Sequence, residues 1–113
     1  MNITLNDVDF RYELDGPEGA PWIVFSNSLT TDVTMWDTEV AQLKDRYRIL
    51  RYDTRGHGQT AAAPGPYSFE MLVGDIIALM DALGVDKAHY VGLSLGGMAG
   101  LGMAIEHGDR LLS

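Results

Sequence analysis

Apolar and polar positions alternate loosely over residues 2–14, where Val8, Phe10, Tyr12 and Leu14 fall on one face. That period fits half-buried strand, as one element or as a hairpin. Asp15-Gly16-Pro17-Glu18-Gly19 is a turn by its glycine and proline content. Trp22-Ile23-Val24-Phe25 is a short continuous apolar run, the pattern of a parallel strand covered on both faces. Polar residues 26–33 form a loop. Trp36, Val40 and Leu43 are spaced for one helix face, with an end near Lys44 to Arg46, and Tyr47 to Tyr52 reads as the next strand. A long loop rich in Gly, Ala and Pro runs from Asp53 to Tyr67. Ser68 can cap the helix that follows. In that helix Phe69, Leu72, Val73, Ile76, Ile77, Met80 and Leu83 recur at i, i+3, i+4, i+7, and Gly84 is its stop signal. Lys87 to Leu93 is a further strand, leading into a segment of small residues from Gly97 to Ile105.

The predicted order is a strand pair followed by βαβαβα. Strands alternating with helices imply an α/β fold, with a mostly parallel sheet and helices on both faces. Ligands in such sheets bind beyond the carboxyl ends of the strands. Three elements meet at that edge: the loop after Phe25, the loop after Tyr52, and Ser94 at the end of the last strand.

Ser94 lies at the centre of Gly92-Leu93-Ser94-Leu95-Gly96. Between a strand and a helix, this pentapeptide puts a serine hydroxyl at the apex of a sharp turn, where it can act as a nucleophile in acyl transfer. Glycines on both sides let strand and helix approach closely, and the helix N-terminus favours developing negative charge. The alternative is a glycine-rich turn whose serine only caps the helix. Gly96, Gly97, Gly100 and Gly102 each cost roughly 1 kcal/mol of helix propensity relative to alanine. Close packing on the sheet explains them better than phosphate binding, because neither a dinucleotide fingerprint nor a P-loop ending is present.

A nucleophilic serine needs a base and an orienting carboxylate. In this type of site both follow the serine in the chain. His107 lies roughly 18 Å from Ser94 along a helical path, and His89 lies roughly 16 Å back along the strand. Neither reaches the Ser94 proton. His57 shares the carboxyl edge with Ser94. A chain limited to these residues would have to use it as base, with a loop-bracing role as the alternative. Asp53 and Arg55 are expected to pair locally or to bond backbone.

Composition narrows the class. The chain has 113 residues and 46% apolar content, which suits one small domain with a core. Its net charge of −8 argues against nucleic-acid binding through phosphates. It has no cysteine, hence no disulfide or thiol chemistry. Met1 to Asp7 lacks a basic start and an apolar run, and nothing approaches a membrane span. The expectation is a cytoplasmic protein with no membrane partner.

The motifs together resemble the N-terminal half of an α/β-hydrolase. Asp53-Thr54-Arg55-Gly56-His57-Gly58 is similar to that family's loop after the second central strand, and Gly92 to Gly97 to its nucleophile elbow. Ser26-Asn27-Ser28-Leu29 with Trp36, and Arg51 to Gly58, resemble the 3-oxoadipate enol-lactonases within it. The resemblance covers essentially residues 1–113, read as the N-terminal, incomplete portion of a single domain. It implies a serine hydrolase of a small lactone or ester, with Ser94 as nucleophile and the backbone N–H groups of Leu29 and Leu95 as oxyanion hole. Ser28, Trp36 and Met98 become candidates for the substrate pocket. No metal or organic cofactor is implied. Later strands, a helical cap, a catalytic acid and a histidine are expected beyond Ser113, supplied by the missing C-terminal half or with another copy of the chain covering the exposed sheet edge. A substrate carboxylate would need a basic group from elsewhere or from Arg55. A general carboxylesterase and a cofactor-free perhydrolase share every residue named; a non-catalytic fragment that folds only against a complement is the third alternative.

Overall fold

A computed structural model of the chain describes residues 1–58, 60 and 68–113. Of the loop expected between Asp53 and Tyr67, Gln59 and residues 61–67 lie outside the described residues. The first two strands, β1 (Asn2–Leu5) and β2 (Val8–Asp15), form a hairpin. Asn6 and Asp7 turn it with φ of +52° and +63°. Two consecutive left-handed residues match the right-handed twist of the flanking strands, and Asn and Asp tolerate that conformation best among residues with side chains. Next come β3 (Trp22–Ser26), helix α1 (Asp37–Leu43), β4 (Arg48–Tyr52), helix α2 (Phe69–Ala82), β5 (Ala88–Gly92) and helix α3 (Leu95–Glu106).

Among the described residues the strands form one five-stranded sheet in the order β1-β2-β4-β3-β5. Strands β4, β3 and β5 are parallel, with Val24 of β3 opposite Leu50 on one side and Tyr90 on the other. The hairpin joins β4 antiparallel, so the sheet is mixed at that edge. Alternation along β3 and β4 divides the core in two. Ile23, Phe25 and Ile49 face α1, where they pack with Trp36 and Val40. Val24, Leu50 and Tyr52 face the other way, onto Leu72, Val73, Ile76, Leu79 and Met80 of α2 and Ala99 and Met103 of α3.

Both ends of α2 follow its sequence signals. Ser68 Oγ accepts the Met71 N–H at 3.2 Å. At the other end Gly84 takes φ of +74°, Gly84 N–H donates to Asp81 O, and Val85 N–H donates to Met80 O. This is the Schellman pattern that a left-handed glycine allows. The apolar face differs from its prediction at its first residue. Phe69 is exposed, because it looks out over the sheet's carboxyl edge rather than onto the sheet.

Asp75 lies on that apolar face and is only 2% exposed. Its two carboxylate oxygens accept from Nε and one Nη of Arg55, each at 2.7 Å. Arg55 thus reaches, beyond its own loop, a helix residue from a distant stretch of sequence. The pair fastens the loop after β4 to α2. Removing one member of a buried pair strands the other charge and costs about 3–5 kcal/mol. Asp75→Ala is therefore expected to lower stability by about that amount, read from the urea midpoint against the parent sequence. A change below about 1 kcal/mol, the range of exposed pairs, would contradict the role.

Among the described residues no helix is long and apolar enough to cross a membrane.

Candidate active site

The link from β5 to α3 is a tight elbow with Ser94 at its apex. Ser94 has φ of +55° and ψ of −111°. A residue with a Cβ in that region is strained by about 1–3 kcal/mol and is held there only by its surroundings. Those surroundings are close-packed backbone. A Cβ on Gly92 would overlap the Gly96 carbonyl, and one on Gly96 would overlap the Ser26 carbonyl. Strand, elbow and helix thus touch through atoms that cannot give way. Leu93 N–H donates to Ser26 O at 3.3 Å, Gly96 N–H to Leu93 O at 3.0 Å, and Met98 N–H to Ser94 O at 2.9 Å.

The Ser94 side chain is exposed and makes no capping bond. The reading of Ser94 as a simple helix cap therefore fails: its backbone is not extended, and its hydroxyl is bonded to no described residue. The glycines further along α3 are packing positions. A Cβ on Gly100 would strike the Tyr90 ring, and one on Gly102 would strike Val73.

Behind the elbow lies a set of buried hydroxyls. Tyr90 OH donates to the Gly96 carbonyl at 2.7 Å, and Ser26 Oγ and Tyr52 OH are 2.8 Å apart. Burial pushes the Tyr90 phenol up to about 12 and the Tyr52 phenol well above its ordinary value. Both stay neutral at physiological pH, so both keep their hydrogen-bonding protons.

A cavity of about 260 Å³ opens beside the elbow, lined by Leu29, Leu95, Phe69, Leu72, Thr54 and His57, with Arg55 and Ser68 at its wall. Leu29, from the loop after β3, and Leu95, the first residue of α3, both line it. Among the described residues, neither backbone N–H donates to an acceptor. The loop bearing Leu29 is bent at Thr30, which has φ of +61°.

His57 also faces the cavity, but its ring is tied down. Nδ1 lies 3.1 Å from the Arg55 carbonyl, while the His57 backbone N–H donates to Thr54 O and the His57 backbone carbonyl accepts from Thr60 N–H. A carbonyl only accepts, so Nδ1 carries the proton in this tautomer. Asp53 accepts the Val33 N–H at 2.8 Å and faces Arg11 at 3.4 Å. His89 bonds Ser113 Oγ through Nδ1, and His107 caps the far end of α3.

The three pocket candidates stand away from this cavity. Trp36 is buried on the α1 side, 4.8 Å from the Phe25 ring centroid, and its indole N–H donates to Asn27 Oδ1 at 2.8 Å. The ring belongs to the core beneath the sheet, because that bond turns it inward. Ser28 is occupied within its own loop, its hydroxyl facing Thr31 and Met35. Met98 is exposed on α3. None of the three lines the cavity. Phe69 and Leu72, which do, were read from their spacing as core. Arg55 lines it too, but its charge is compensated by Asp75, which weakens its claim to a substrate carboxylate.

The sequence profile of the alpha/beta hydrolase fold matches residues 21–113. The chain belongs to the α/β-hydrolase family. Within this family it is 46% identical over 101 residues to 3-oxoadipate enol-lactonase 1 of Acinetobacter baylyi, covering 89% of this chain and 38% of that protein. It is 39% identical to a putative carbamate hydrolase of Caulobacter segnis, covering 88% of this chain and 39% of that one. Among solved hydrolase structures, the enol-lactonase from Burkholderia xenovorans LB400 superposes with a TM-score of 0.96 at 47% identity, over 98% of this chain and 44% of that chain. The chain thus spans about two fifths of the length of these relatives. The α/β-hydrolase fold seen here is the N-terminal part of theirs.

The elbow packing allows a direct check. Gly96→Ala is expected to destabilise the protein by at least about 3 kcal/mol, the upper end of ordinary overpacking, because the clash is with backbone. Gly97→Ala, where a Cβ meets only ordinary contacts, should leave the melting temperature within a few degrees. Equal effects from the two would mean that the close approach at Gly96 is not real.

Proposed function

We propose that these residues are the nucleophile-bearing part of a serine hydrolase acting on a small lactone or ester, with 3-oxoadipate enol-lactone as the leading substrate. The observation that carries the reading is the strained, exposed Ser94 beside a cavity lined by Leu29 and Leu95, whose backbone N–H groups have no acceptor among the described residues. The substrate comes from the likeness to enol-lactonases at 46–47% identity.

In this reading Ser94 Oγ attacks the acyl carbon, and its proton passes to a histidine from a segment outside these residues. The carbonyl π electrons move onto oxygen, and the Leu29 and Leu95 N–H groups hold the resulting oxyanion. Preorganised donors at that position typically contribute several kcal/mol of barrier reduction. The tetrahedral centre collapses, the acyl C–O bond breaks, and the ring oxygen leaves with the proton returned by the histidine. Water then attacks the acyl-serine by the same route, releasing the acid and restoring Ser94. An enol leaving group rearranges to its ketone, and with the lactone the product is a single opened chain. The acid that orients the histidine also comes from outside residues 1–113.

The carbamate hydrolase relatives support a second reading. A carbamate carbonyl meets the same nucleophile and oxyanion donors, and only the leaving group differs.

Covalent labelling tests the nucleophile. In the enzyme assembled with its histidine-bearing segment, a fluorophosphonate is expected to modify Ser94, read by mass spectrometry of the peptide. Label on Ser26, Ser28 or Ser68, with Ser94 free, would remove the assignment. A panel of enol-lactone, simple esters and a carbamate then separates the substrate classes by kcat/KM.

A further inference from the structure

Asn27 is 1% exposed, and both ends of its carboxamide are used. Nδ2 donates to the Tyr52 carbonyl at 3.0 Å, at the end of β4. Oδ1 accepts from the Trp36 indole at 2.8 Å. Its backbone carbonyl stands where a Cβ on Gly96 would meet it at 2.9 Å. One residue therefore touches the elbow with its main chain and grips two other elements with its side chain.

The loop that follows bonds mostly to itself. Thr31 Oγ1 donates to Ser28 O, and Thr30 Oγ1 donates to Leu29 O. It rejoins the scaffold at Val33, whose N–H donates to Asp53 and whose carbonyl accepts from Arg51. The Leu29 N–H lies between these two anchorages. An exposed loop with a left-handed threonine holds one geometry only if its ends are fixed.

We propose that Asn27 is the positioning residue of the oxyanion loop: its carboxamide, bridging the β4 end and the Trp36 indole, sets where the Leu29 N–H stands relative to Ser94. This rests on the reading of Ser94 as nucleophile. An oxyanion donor acts on charge that exists only in the transition state. Displacing it lowers kcat and spares KM, whereas a purely structural residue would change the melting temperature and leave the turnover of the folded fraction intact.

The test uses the assembled enzyme with two variants. Asn27→Asp keeps the shape and the acceptor for Trp36 but sets an oxygen against the Tyr52 carbonyl. Trp36→Phe keeps a ring against Phe25 and removes only the donor to Asn27, so it stays informative if the first variant folds poorly. For Asn27→Asp the expected result is a kcat loss of about ten- to hundredfold, part of the value of a whole oxyanion donor. For Trp36→Phe a loss of about fivefold is expected, a fraction of the same donor effect. KM should stay within about twofold for both. Inhibition by a trifluoromethyl ketone, whose serine adduct carries the same oxyanion, should weaken by the same factor as kcat. Both variants turning over within twofold of the parent, with a lowered melting temperature, would overturn the positioning role while leaving Ser94 in place. Failure of the parent enzyme to label at Ser94 would overturn both, so the two failures are told apart by the parent alone.

Discussion

In the enzyme assembled with its histidine-bearing segment, Ser94→Ala is expected to lower lactone hydrolysis by about four orders of magnitude or more, the size of effect seen when a nucleophile is removed from a serine–histidine–acid site. Stability should hardly change. The Ser94 hydroxyl bonds to no described residue, and alanine is as strained as serine at φ of +55°. A second variant adds a check from backbone physics. Ser94→Gly removes the same hydroxyl and also the Cβ, so it should be as inactive as alanine but more stable by about 1 kcal/mol, set by the release of left-handed strain. The opposite pattern belongs to His57. Its Nδ1–H braces the Arg55 carbonyl, so His57→Ala should lower stability by about 1 kcal/mol, the typical net value of one hydrogen bond, with turnover largely kept. Chemical denaturation and steady-state kinetics on the same preparations separate the two. Equal loss of turnover in both variants, with unchanged melting, would give His57 a chemical role.

The elbow was legible in the sequence because its glycines answer to backbone sterics rather than to context. Gly92 and Gly96 must lack side chains for β5, Ser94 and α3 to touch, and that requirement shows as a fixed local spacing. The caps of α2 were legible for the same reason: Ser68 and Gly84 act within one turn. Long-range partners were not. Arg55 reads as a local loop residue until α2 brings Asp75 against it. The clue that was present, an aspartate on an otherwise apolar helix face, names a buried carboxylate but not its partner. Phe69 departs from its expected place for a similar reason. Helical spacing says which residues share a face, but the direction of that face depends on how the helix sits against the sheet. Trp36 turned inward because Asn27 accepts its indole proton, while Phe69, at the first turn of α2, overhangs the sheet edge and lines the cavity.

Residues 1–113 expressed alone should show near-background hydrolysis of an activated ester and should self-associate. Two independent features point there. The first is chemical. His107 sits at the far end of α3, His89 is engaged with Ser113 well down β5, and His57 is held by the Arg55 carbonyl. No other histidine occurs in the chain, and among the described residues none of the three bonds the Ser94 hydroxyl, so the serine lacks the hydrogen-bonded base that acyl transfer uses. The second is physical. β5 pairs with β3 on one side. On the other, Leu112 N–H donates to Ala88 O and Tyr90 N–H donates to Ser113 O, a parallel pairing that covers only the start of the strand. Val91 and Leu93 stay exposed beside it. On α3, Met98, Leu101 and Ile105 stand at i, i+3 and i+7 on one face, the last of them 83% exposed. An open strand edge next to an apolar helix face recruits other chains. Light scattering should therefore report oligomers. Adding the remaining segment of a related enol-lactonase should raise both the monodisperse fraction and fluorophosphonate labelling of Ser94, since one polypeptide would cover the edge and supply the base. A monodisperse monomer of residues 1–113 that melts cooperatively and hydrolyses esters at ordinary rates would overturn both parts. It would also leave His57, the histidine lining the cavity, as the base to be tested next.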